Sequence, residues 1–67
     1  MNQSVTDTKA IAKVASAIRI SAKNYSVADI KGIVHVAKGL VIVTDADLNL
    51  SVADMKGIAG YGRVQFE

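Results

Sequence analysis

Ser26-Val27-Ala28-Asp29-Ile30-Lys31-Gly32-Ile33 recurs as Ser51-Val52-Ala53-Asp54-Met55-Lys56-Gly57-Ile58, with seven of eight positions identical at an offset of 25 residues. In a chain of 67 residues such a repeat marks architecture. Each residue type has a task in a short helix. Serine suits the N-cap, aspartate suits the third helical position, glycine suits the left-handed stop, and isoleucine makes the apolar contact beyond it. The competing reading as an alternating strand puts Ala and Asp where strands disfavour them. The octapeptide therefore predicts two short Ser-capped helices ending at Gly32 and Gly57. Their paired aspartates, Asp29 and Asp54, read as caps and not as an acid/base pair.

Outward from the first copy, Ile33 to Ala37 and Leu40 to Thr44 are rich in β-branched residues and flank Lys38-Gly39. That arrangement predicts a β-hairpin over about 33–44. The alternative, a helix running from Val27 through Ala37, has its own apolar stripe in Val27, Ile30, Ile33, Val34 and Ala37. The second copy is followed by Ala59-Gly60-Tyr61-Gly62, which does not readily prolong a helix, and this favours the hairpin. Tyr61 to Phe66 reads as a last strand.

Upstream, residues 4–23 read as one long amphipathic helix. Ser4 and Asp7 make a capping pair. Ile11, Val14, Ala15, Ile18 and Ala22 form the apolar stripe, and Asn24 suits the stop. Ile20 breaks this pattern by falling on the basic side. The expected fold is α+β and a single domain over 1–67, with 1–3 disordered. The long N-terminal helix packs on a sheet of about three strands, and the two short helices serve as connectors. One repeat and a fragment do not complete a solenoid within a chain, although copies from neighbouring subunits would.

A chain this short buries only about 60% of its unfolded surface. Small domains usually gain help from disulfides, a metal or a partner subunit. No cysteine is present and there is one histidine, which removes disulfides and the Cys- or His-rich metal sites. Self-association is the remaining device. Half of the residues are hydrophobic, yet only Tyr25, Tyr61 and Phe66 are aromatic. No apolar run approaches the roughly 20 residues of a spanning helix, and no secretory signal is visible. A cytoplasmic setting is expected, with no membrane partner.

The net charge is +2 and unevenly spread. Lys9, Lys13, Arg19, Lys23, Lys31 and Lys38 against Asp7 and Asp29 give residues 1–39 a balance of +4. Lys56 and Arg63 against Asp45, Asp47, Asp54 and Glu67 give residues 40–67 a balance of −2. Such halves attract within or between subunits.

The candidate chemistry is thin. Asp45-Ala46-Asp47-Leu48-Asn49 has the opening spacing of a calcium loop, but Leu50 and Lys56 stand where the glycine and the bidentate glutamate belong. Gly57 to Arg63 is glycine-rich without the context of a phosphate loop. His35 is the one near-neutral base, and it lies in an apolar run. No catalytic residue, cofactor, metal or small-molecule substrate is expected. The reading is a non-enzymatic protein-binding or regulatory protein acting as a homo-oligomer, with Ile20, Tyr61 and Arg63 as interaction surface. The alternative is a nucleic-acid-binding regulator using a basic helix face of Lys9, Lys13, Arg19 and Lys23, which would also suit an acidic partner.

Overall fold

The structure, a computed structural model, describes residues 4–67. The disorder expected over 1–3 lies outside the described residues. The chain is a small α+β fold whose elements follow one another as α1 (Val5–Ala12), β1 (Ala17–Ser21), α2 (Val27–Val36), β2 (Leu40–Thr44), α3 (Ala46–Asn49), α4 (Val52–Ala59) and β3 (Val64–Phe66). The three strands form one parallel sheet in the order β1-β2-β3. Ile18 pairs with Val41, Ile20 with Val43, Val41 with Val64 and Val43 with Phe66.

The long N-terminal helix is corrected. The helix stops at Ala12 with Lys13 as C-cap, and the second half of the expected helix is β1. The off-stripe Ile20 is the reason. Ile18 and Ile20 share a face at period two, not at period 3.6, and that face packs against the core. The hairpin over 33–44 is also corrected. Residues 33–36 continue α2, and β2 runs parallel to β1. Two parallel strands cannot be joined by a two-residue turn, so the chain between them supplies a helical crossover. Gly32 and Gly57 consequently lie inside their helices rather than ending them. Ile30, Ile33 and Val34 become a fully buried stripe. The last strand is shorter than expected, starting at Val64.

Gly39 has a role other than a hairpin turn. A Cβ there would overlap the carbonyl group of Ser16. This close approach lets the Leu40 N–H donate to the Ser16 oxygen at 3.2 Å, where the pairing of β1 with β2 begins.

The serine caps hold at each helix they were assigned to. Ser4, Ser26 and Ser51 each accept from the backbone N–H three residues on, at 3.1 Å. At Ser51 the Asp54 carboxylate also accepts from the Ser51 N–H, completing a reciprocal box. These three helices share a sequence as well as a cap. Ser4-Val5-Thr6-Asp7-Thr8-Lys9-Ala10-Ile11 keeps the Ser, Val, Asp, Lys and Ile of the octapeptide. The repeat is therefore threefold: α1 with β1, α2 with β2, and α4 with β3. Helix α1 packs on α2, and α2 on α4. The units stack as successive turns of a short α/β solenoid within one chain.

The core lies between this row of helices and one face of the sheet. It contains Ile20, Ile30, Ile33, Val34, Val41, Val43, Leu50 and Ile58. Thr8 is its buried polar residue, and its hydroxyl shares a 2.7 Å hydrogen bond with the Tyr25 hydroxyl.

Candidate interaction surfaces

Polar side chains gather at the carboxyl ends of the strands, where open parallel sheets commonly bind ligands. Ser21 ends β1, Thr44 ends β2, and Asp45 follows in a left-handed conformation with φ 60°. The Ser21 hydroxyl donates to the Asp45 carboxylate at 2.6 Å and the Thr44 hydroxyl at 3.2 Å. The Lys23 N–H donates to Ser21 Oγ, and the Asn49 amide to the Asp45 carbonyl. The Ser21 hydrogen bond, the largest effect, holds the Asp45 carboxyl below its ordinary value; desolvation, second in size, opposes it, and the charge of Lys23 and the Thr44 hydroxyl add to the lowering. A carboxylate stabilised in this way is a weaker base. The group does mechanical work, tying the end of β1 to the end of β2. Among the described residues no cluster of three or more His, Asp or Glu side chains has the arrangement of a metal site.

The basic residues expected on one helix face are dispersed. Lys9 is in α1, Lys13 caps it, Arg19 is on β1 and Lys23 is in the following turn. Ile20 is buried in the core and is not surface. Tyr61 is exposed beside α2, its ring edge-on to that of exposed His35 at 5.9 Å between centroids. Arg63 is exposed just before β3. The charge asymmetry also changes when it is counted by structural turn. Lys9, Lys13, Arg19 and Lys23 against Asp7 give residues 4–25 a balance of +3. Lys31 and Lys38 against Asp29, Asp45 and Asp47 give residues 26–50 a balance of −1, and residues 51–67 balance to zero. The division into opposite halves cut through the middle turn.

Among the described residues two kinds of surface are left uncovered. One is the outer face of the sheet, where Leu40 and Ile42 are half-buried between exposed Ala17, Arg19 and Gln65. Arg19, the register partner of Ile42, donates to Glu67 at 2.8 Å, so the ion pair spans the width of the sheet. The other is the pair of open ends. Ile11 and Val14 are exposed in the first turn and Val52 in the last; Tyr61, beside α2, and Leu48, on α3 of the middle turn, are exposed away from those ends. Strands β1 and β3 are both sheet edges. Sequence reading missed Ile11 and Val52, and the signal that finds them is the third, weaker copy of the octapeptide beginning at Ser4. No known protein family, curated protein or solved structure matches this chain.

Proposed function

We propose that this chain is a small, non-enzymatic, cytoplasmic protein-binding module that acts as a homo-oligomer. The observation that carries this reading is the amount of packing surface left without a partner. Parallel sheets normally have both faces covered; here helices cover one face, and among the described residues one ion pair, Arg19 with Glu67, crosses the other. Among the described residues of this 67-residue chain, five large apolar side chains are exposed. A fold this small gains stability by covering such surface with another subunit. The absence of cysteine agrees with a reducing compartment.

Nucleic-acid binding, the second reading, keeps the +3 balance of the first turn but loses the continuous helix face. Light scattering coupled to size exclusion separates the two. Self-association gives a mass above the 7.0 kDa of the monomer, in a peak whose ultraviolet absorbance is that of protein alone. A folded monomer at every concentration removes the homo-oligomer reading. A peak carrying nucleic acid, lost as salt rises, would favour the second reading.

A further inference from the structure

We infer that copies of this protein associate head to tail, the third turn of one copy stacking on the first turn of the next. This rests on the homo-oligomer reading and specifies its geometry.

Equivalent positions of the threefold repeat carry the argument. The isoleucine that closes the octapeptide is fully buried at Ile33 and Ile58, each on a helix that has an earlier helix packed on it. Its equivalent in the first turn, Ile11, is 42% exposed. The valine in second place behaves in the opposite sense. Val5 and Val27 pack against the core with a later turn beyond them, whereas Val52 is 66% exposed. The lysine and glycine positions repeat the pattern. The ends of Lys9 and Lys31 lie over Gly32 and Gly57 of the next helix, 2.9 and 3.2 Å from where a Cβ would stand. Lys56 is exposed, and so is Ala10, the equivalent of those glycines.

Each end therefore displays one half of a joint that the chain makes twice internally. Valine and lysine face onward from α4, and alanine and isoleucine face backward from α1. A second copy supplies the missing half to each, in the register already used by α1 on α2 and α2 on α4. Strand β3 of one copy then lies beside β1 of the next, extending the sheet. Stacked repeat proteins end their arrays with polar caps, and Val52 and Ile11 are not polar. Ala10 differs from the internal glycines by one methyl group, which the flexible end of Lys56 can avoid by swinging into solvent. The interface is heterologous, using different surfaces on the two copies, so association continues beyond the dimer unless a rotation closes a ring.

The test uses the full chain and the variants V52K, I11K and A10R, each checked by circular dichroism for parental helix and strand content. V52K blocks the onward end; I11K and A10R block the backward end. The parent protein is expected to rise in mass through multiples of 7.0 kDa with concentration, and each variant alone is expected to stay monomeric. V52K mixed with A10R or I11K leaves one intact joint and is expected to give a species of twice the monomer mass and nothing larger. A parent that is monomeric throughout overturns both this geometry and the homo-oligomer reading. A parent that assembles while the variants keep its mass, or whose complementary variants stay monomeric when mixed, overturns the head-to-tail geometry alone.

Discussion

Asp45 holds a left-handed backbone that residues with a Cβ seldom adopt, and Asp and Asn adopt it more readily than most. Its carboxylate is held there by the Ser21 and Thr44 hydroxyls. Since the folded pKa lies below the ordinary 3.8, the unfolded chain takes up the proton more readily. The resulting stability is complete above that value and is lost as pH falls through the lower folded value. Urea melts taken from neutral pH down to about pH 3 should therefore show D45N less sensitive to the last acid steps than the parent. An unchanged acid slope in D45N would remove this role. Gly39 makes a second residue-scale prediction. A Cβ there overlaps the Ser16 carbonyl, part of the backbone that starts the sheet, so G39A should cost about 3 kcal/mol or prevent folding. A G39A protein melting like its parent would show that the connection can move aside.

At the scale of the element, the three principal helices are opened by the same capped cassette but differ in its completeness. The reciprocal box occurs at Ser51, so S51A should destabilise by about 1 kcal/mol, or about 4–8 °C in melting temperature. Gly57 gives the opposite sign. It lies inside α4, where glycine costs about 1 kcal/mol relative to alanine. The neighbour that a new Cβ would meet is the movable end of Lys31. G57A should therefore leave the melting temperature unchanged or raise it, and a clear drop would show that the Lys31 end is fixed in place. The contrast between G39A and G57A distinguishes a glycine required by backbone approach from one merely tolerated within a helix.

At the scale of the molecule, the turns carry balances of +3, −1 and zero rather than two opposing halves. The proposed joint between ends is apolar at Val52 and Ile11, and every copy carries the same net charge of +2, most of it from the first turn. Salt at about 1 M shortens the screening length to ~3 Å, from ~10 Å at about 0.1 M. Self-association should then hold or strengthen on going to the higher salt, as apolar contacts do when like charges are screened. Dissociation at high salt, measured by the same light scattering, would instead point to charge pairing as the source of assembly.

The amino-acid sequence by itself determined the starts of α1, α2 and α4, though not that of α3. A serine followed by an aspartate three residues on satisfies free N–H groups locally, and Ser4, Ser26 and Ser51 all cap as their spacing says. It also determined the α+β class and the strand over Leu40 to Thr44. What lay outside local chemistry was where each helix stopped. Ala17 to Ser21 fits a helix by the place of Ile18 on the stripe of Ile11, Val14, Ala15 and Ala22, and a strand by the period-two placing of Ile18 and Ile20. Residues 33–36 fit a strand by β-branching and a helix by the stripe of Ile30, Ile33 and Val34. The parallel sheet decided both. Strand β1 is needed as the partner of β2, and a parallel partner requires a crossover between them, which turns residues 33–36 into helix. The surfaces proposed for assembly were equally hidden. Val52 and Ile11 have the same residue types as their partly or fully buried equivalents, and only their places in the stack leave them uncovered.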